Sequence, residues 1–289
     1  MNVGLSVYDL AAPDLLDLAR AADESGFDAI WLGEHVILPV GYASEHPTHG
    51  IDDHEHIAGP IISPDTELVD PMVALAAVAG ATTRIHLATG IYILPLRHPL
   101  VTARAAATLH EVSGGRFRLG VGAGWLEEEF ADLGVPYEQR ASRVTESIEV
   151  LRAAWRGGPF EHHGKHFSFG PVQSSRRAVG VPIIMGGNTS AALRRAAASG
   201  DGWFSSGTPD FEDAVELLAT LRRLRSDLGQ TAPFRCWFRV PGCDPGLLAR
   251  YAAAGIDDVV VWADQLWPAT GTPASKREAF LAAAATLGV

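Results

Sequence analysis

The sequence predicts an α/β fold, a (β/α)8 TIM barrel with long βα loops at its C-terminal face, formed as one domain over residues 1–289. Three observations carry this expectation. Eight apolar runs of strand length recur along the chain, each followed by a segment with helical spacing. Several of these runs are nearly continuous in apolar residues, as strands covered on both faces must be. The 289 residues, 47% of them hydrophobic, supply a large core and the roughly 250 residues that a barrel typically takes. Strict alternation of strand and helix implies a parallel sheet, and eight units close it. A doubly wound open sheet is the competing arrangement. No linker rich in Pro, Gly or Ser divides the chain.

The elements follow in order. The first strand is read over Asn2–Tyr8, and its helix over Asp14–Ala22, with Pro13 in front and Gly26 as a stop. Strand two (Ala29–Glu34) leads through a long connection, His35 to Asp70, into a helix over Pro71–Ala81. Strand three (Ile85–Gly90) precedes the helix Pro99–Val112, and strand four (Phe117–Gly122) the helix Ser142–Trp155. Strands five to eight are read over Pro182–Gly186, Gly202–Ser205, Phe234–Val240 and Asp258–Trp262. Their helices are Ser190–Ser199, Phe211–Leu228, Pro245–Ala254 and Ser275–Leu287. Besides His35–Asp70, the connections Leu126–Ala141 and Gly157–Val181 are long. Long βα loops gather at the C-terminal face of a barrel, so these segments predict a roofed pocket there.

Bulk properties exclude several classes of function. A net charge of −11 gives no basic field for nucleic acid or an anionic lipid surface. An anionic cofactor would need a locally built positive site. Cys236 and Cys243 form neither a metal-ligand spacing nor a disulfide framework. Met1-Asn2-Val3-Gly4 lacks the basic and apolar stretches of a signal peptide. The most apolar region, Pro71 to Leu96, carries Arg84 and His86 and reads as a helix followed by a strand, not as a membrane span. A cytoplasmic protein acting on a small molecule is the expectation.

Four segments are candidates for chemistry. Glu34-His35 ends strand two, placing a carboxylate and an imidazole at the catalytic end of a barrel. Histidine exchanges a proton near neutral pH, and a carboxylate can fix its tautomer; the plain alternative is a histidine capping a strand. Thr89-Gly90-Ile91-Tyr92-Ile93 runs off strand three, where Gly90 permits a bulge against a flat ring or simply a turn. Gly120-Val121-Gly122-Ala123-Gly124-Trp125 follows strand four; its spacing is not a dinucleotide fingerprint. Its alternating glycines either bring a ligand close to the backbone, around Ala123 and Gly124, or serve tight packing. Gly186-Gly187-Asn188-Thr189-Ser190 opens the helix after strand five, and exposed N–H groups with hydroxyls beside them suit a phosphate or an ordinary cap. Asp52-Asp53-His54-Glu55-His56 has alternating histidines, but strand one offers no further ligand, so it reads as a solvated loop. No metal site is expected, and the Gly-x-Ser-x-Gly motif of serine hydrolases is absent.

Taken together, these motifs resemble the luciferase-like monooxygenase family, and most closely its members that use the deazaflavin coenzyme F420. The resemblance rests on Gly33–Pro39, Tyr42–Pro47, Thr89–Val101, Ser113–Gly122, Gly124–Phe130, Gly186–Asn188 and Gly200–Trp203, in that order along the chain. It implies a tricyclic ring in the barrel mouth, met by Glu34 and His35 as the catalytic pair. It also implies a non-prolyl cis peptide at Gly90-Ile91 behind the ring, and a phosphate held by Gly186 to Ser190. The set implied to bind the cofactor is Glu34, His35, Thr89, Gly90, Ile91, Ile93, Ala123, Gly124, Gly186, Gly187, Asn188, Thr189 and Ser190. A homodimer is implied as well.

Two departures matter. Glu34 stands where the family pattern has aspartate. Trp125 stands where the sugar-phosphate dehydrogenases have a catalytic glutamate, which argues for a flatter and more apolar substrate. Glu127 to Glu129 lie nearby, and helical spacing does not oblige them to face the pocket. The expected reaction is hydride transfer between F420 and a stacked substrate, with His35 relaying the proton and Val36 to Val69 as a lid. The alternatives are an FMN-dependent monooxygenase on the same fold, a cofactor-binding protein without turnover, and a metal-dependent hydrolase.

Overall fold

A computed structural model describes residues 1–46, 63, 65–174 and 177–288. In it the parallel strands close into a ring. Strand β1 (Asn2–Val7) pairs with β2 (Ala29–Leu32), and β2 with β3 (His86–Thr89). After Gly90 and Ile91 the chain resumes as the short β4 (Tyr92–Ile93), and β3 and β4 both pair with β5 (Phe117–Gly122). A hairpin of β6 (Phe160–His163) and β7 (Ser168–Val172) stands apart from the ring. From β5 the ring continues through β8 (Ile183–Gly186), β9 (Gly202–Phe204), β10 (Arg235–Arg239) and β11 (Asp258–Trp262), and β11 returns to β1. The fold is a (β/α)8 TIM barrel, and its eight ring strands are those read from the sequence, trimmed at their ends.

Outside the strands lie α1 (Ala12–Ser25), α2 (Pro71–Ala81), α3 (Pro99–Val112), α4 (Glu127–Asp132) and α5 (Arg140–Trp155). They are followed by α6 (Ser190–Ser199), α7 (Phe211–Asp227), α8 (Pro245–Ala253) and α9 (Pro273–Leu287). The helix starts follow local chemistry. Asp70, Thr189, Asp210, Asp244 and Thr272 each accept from an N–H of the first turn, satisfying donors that have no intrahelical partner. Pro71, Pro99, Pro245 and Pro273 open helices where a missing N–H costs nothing. Among the described residues no helix is long and apolar enough to cross a membrane.

The side-chain period of two along each strand divides the core. Outward residues such as Leu5, Ile30, Leu87, Phe117 and Ile183 pack against the helices. Inward residues Ala29, Trp31, Ala88, Ile184, Phe204, Trp237 and Val260 fill the barrel itself. Trp31 is its centre: fully buried, stacked on Phe204 at 4.5 Å and tilted against Trp237 at 5.2 Å. The N-terminal end is closed by charge. Arg118 pairs with Asp28 at 3.1 Å, Arg235 Nε donates to Asp258 at 2.8 Å, and both guanidinium groups lie over the Trp237 ring.

One expectation needs correction. Gly157–Val181 leaves the C-terminal end of α5 and enters β8, so it is an αβ connection and not a βα loop over the mouth. It holds the β6–β7 hairpin, which lies on the outer wall: Phe167 packs on His98, and Glu146 of α5 accepts from the His166 and Phe167 N–H groups. Leu126–Ala141 does follow a strand, and contains α4 and a short 3-10 turn, Tyr137–Gln139. The Asp52–His56 segment, with His54 and His56, lies outside the described residues, as does half of the expected lid.

Candidate active site

The C-terminal ends of β2, β3, β5 and β8 meet around the bulge between β3 and β4. Ala88 lies opposite Arg118 but Tyr92 lies opposite Val121, so the β3–β4 side has one residue more than its partner. That extra residue is accommodated at Gly90-Ile91, whose peptide bond is cis, as the family resemblance implies. Gly90 N–H donates to the Leu32 carbonyl at 2.7 Å, which joins the bulge to the end of β2. The Ile91 side chain reaches across to β5 and β8. A methyl group at Gly122 would lie 1.7 Å from Ile91 Cδ1, and one at Gly186 would lie 3.0 Å from Ile91 Cγ2. Three of the predicted segments therefore converge on Ile91.

The alternating glycines have a packing explanation. A methyl group at Gly120 would stand 1.9 Å from the Thr89 carbonyl oxygen, and one at Gly124 would stand 2.7 Å from Ile93 Cγ2. Thr89 is buried, and its hydroxyl donates to the Gly120 carbonyl at 2.6 Å. The space beside these glycines is filled by the bulge, and Ala123 lies between them, half-buried.

Glu34 is locked in place. Its Oε1 accepts from Ile93 N–H at 2.6 Å and from Arg97 Nη1 at 2.5 Å, while Oε2 accepts from Arg97 Nη2 at 2.7 Å. Its side chain is fully buried, and Arg97 covers the Tyr92 ring at 4.2 Å. Burial pushes the Glu34 carboxyl above its ordinary value, and Arg97 and the Ile93 N–H pull it back. Burial disfavours the Arg97 charge, but the Glu34 carboxylate outweighs it and raises the guanidinium pKa. The carboxylate and the guanidinium meet as a bidentate pair. Glu34 thus spends its oxygens on the start of β4 and on Arg97.

His35 has a different partner. Its Nδ1 lies 2.9 Å from Glu129 Oε2, and the two side chains are 6% and 0% exposed. Glu129 Oε1 also accepts from Val36 N–H at 2.5 Å, so α4 clamps the turn after β2. With Nδ1–H donated to the carboxylate, Nε2 is left as the base. Trp125 closes the far side, edge-on to His35 at 5.8 Å, to Tyr42 at 5.8 Å and to His46 at 5.0 Å. Next along α4, Glu128 accepts from Ala43 N–H and from the Ser44 hydroxyl, both at 2.7 Å. The Ser44 hydroxyl and the Ala43 N–H bring the Glu128 carboxyl down to about 2.

At the β8 junction Gly187 takes φ of 109°, which redirects the chain into α6. Asn188 pairs with the backbone of Ser206, donating to its carbonyl and accepting from its N–H, each at 2.8 Å. Thr189 caps the Ala192 N–H at 3.3 Å. Thr189 and Ser190 are exposed beside the start of the helix. Two cavities, of about 580 and 490 Å3, lie elsewhere, one between α7 and the first residues of β10 and β11, the other along α5 and α6.

Sequence reasoning missed Glu129 and Arg97. Glu129 had a legible signal: Leu126, Glu129 and Phe130 share one helix face, so the acid flanked by two apolar neighbours is the buried one. Arg97 sits inside a quoted motif, but nothing in its spacing ties it to Glu34.

Residues 4–243 match the family model described as luciferase-like monooxygenase. An uncharacterised protein of Mycobacterium tuberculosis is 32% identical over 256 residues, covering 84% of each chain. The monooxygenase RslO1 from Streptomyces bottropensis superimposes with a TM-score of 0.74 at 19% identity, covering 98% of each chain. The coenzyme F420-dependent tetrahydromethanopterin reductase from Methanopyrus kandleri does so at 0.63 and 20%, covering 87% of this chain and 70% of that one. This chain belongs to the luciferase-like monooxygenase family.

Proposed function

We propose that the protein is an F420-dependent oxidoreductase that moves a hydride between the deazaflavin and a small, flat organic substrate in the barrel mouth. The observation that carries this is the His35–Glu129 pair at 2.9 Å, buried beside the bulge on which Ile91 sits. The residues present fit the cofactor. Ile91 and the glycines around it make a flat apolar floor, and Ser190 and Ala191, in the first turn of α6, carry N–H groups with no intrahelical acceptor, suiting a phosphate. When bound, F420 supplies the two-electron hydride chemistry. The protein does the rest. Glu129 fixes the His35 tautomer, His35 Nε2 takes or returns the proton that accompanies the hydride, and Trp125 walls off water. Glu34 acts as a positioning residue, holding β4 and Arg97.

An FMN-dependent monooxygenase is the second reading, and the similarity to RslO1 along nearly the whole chain favours keeping it. Titration of the purified protein with F420, and separately with FMN, separates the two. Saturable change in F420 fluorescence with no response to FMN is expected. Tight binding of FMN alone would establish the second reading and remove the first.

A further inference from the structure

We infer that Tyr8 orients the substrate: its phenol hydroxyl donates a hydrogen bond to a carbonyl or hydroxyl oxygen of the molecule bound in the mouth. The inference rests on the function proposed above and adds a recognition element to it.

Tyr8 is the first residue beyond β1, at the C-terminal rim of the barrel. Its ring lies against the turn that delivers Glu34 and His35, since a methyl group at Gly33 would be 2.9 Å from Tyr8 Cδ2. The hydroxyl is buried and has no hydrogen-bond partner among the described residues. Such groups are rare in folded proteins because burial strips water without replacing it. The other buried side-chain atoms in that condition belong to Trp31 and Trp237 inside the barrel, and to Thr102, Ser147 and Trp267 on or against the helical layer. Only Tyr8 among them stands at the rim.

A second feature fixes it there. Asp9 is the one non-glycine with a left-handed backbone among the described residues, at φ of 54°. Its carboxylate accepts from Glu67 N–H at 2.7 Å, and Leu10 N–H donates to the Glu67 carbonyl at 3.0 Å. This clasp ties the rim of β1 to the chain entering α2. Backbone held in a sparsely populated region collects at functional sites, where it aims a neighbouring group.

The chemistry sets the ligand class. Burial raises the phenol pKa far above its ordinary value, and the negative charges of Asp9 and Glu129 add to this. The group therefore keeps its proton and acts as a donor. The charge that acts on it from Glu129 belongs to the carboxylate that holds His35, so a substrate oxygen between Tyr8 and His35 Nε2 would meet a donor on one side and a base on the other. A site built to donate to an oxygen rejects an analogue that lacks one.

The protein and its Tyr8→Phe variant test this. In thermal melts without ligand, Tyr8→Phe unfolds at or above the wild-type temperature; a drop of several degrees would reveal a partner for the hydroxyl and overturn the inference. Calorimetric titrations follow, with and without F420, using cyclohexanone against methylenecyclohexane and acetophenone against α-methylstyrene. Wild type prefers at least one ketone to its hydrocarbon isostere by about tenfold, and Tyr8→Phe loses that preference while F420 affinity is unchanged. The idea fails if the variant keeps the preference, if wild type shows none, or if F420 affinity falls with the hydroxyl. Should F420 not bind wild type, the cofactor assignment alone is lost, and the ketone preference of the cofactor-free protein still decides the role of Tyr8.

Discussion

In the proposed reaction His35 depends on a residue 94 positions away. Glu129 selects which ring nitrogen is protonated, so Glu129→Gln removes the charge that holds that tautomer. Turnover is expected to fall on the order of a hundredfold or more with F420 affinity nearly unchanged, as read from kcat across pH and a fluorescence titration. Unchanged turnover would show that His35 works without it. Arg97 poses a different test, because Arg97→Met leaves the Glu34 carboxylate buried and unpaired. A loss of about 3–5 kcal/mol in denaturant melts is expected, the usual cost of breaking a buried pair from one side. At this scale the sequence was informative about His35, which ends an apolar run, and uninformative about Arg97, whose partner is set by the bulge and not by local spacing.

The bulge is the element on which the mouth depends, and its two glycines should respond differently to a methyl group. At Gly120 the obstacle is the Thr89 carbonyl at 1.9 Å, part of the backbone. At Gly122 it is the end of the Ile91 side chain, which can rotate away into the mouth. Gly120→Ala is therefore predicted to lower stability by several kcal/mol, whereas Gly122→Ala lowers F420 affinity more than melting temperature. Equal effects in both assays would contradict the packing account. The alternation of glycines was visible in the sequence, but the one-residue mismatch between β3–β4 and β5 was not, because a bulge is a relation between strands. Elsewhere, Asp23 joins the end of α1 to the entry of β3, accepting from the Thr83, Arg84 and Ile85 N–H groups. Burial alone would raise its pKa, but those bonds bring it below the ordinary 3.8. A depressed carboxylate stabilises the fold above its unfolded pKa, and the contribution is lost as pH falls through the lower folded value. Asp23→Asn should thus melt lower than wild type at neutral pH, with the gap closing in strong acid.

The whole molecule has a charged floor, a barrel packed around Trp31, and a mouth lined by the second, third, fourth and fifth βα junctions. That polarity follows from the fold: the N-terminal strand ends hold Asp28 and Asp258 with their arginines, and the opposite ends hold the candidate site. Eight periodic βα units made the barrel legible from sequence. The hairpin at 160–172 was not, because Phe160–His163 and Ser168–Val172 are polar, half-exposed strands with little apolar alternation. The account as a whole is decided by a crystal structure of the F420 complex. It predicts the ring on Ile91, with His35 Nε2 in reach and the phosphate at the start of α6. A ring bound instead in the 580 Å3 cavity between α7 and β10, with the mouth unaltered, would contradict it.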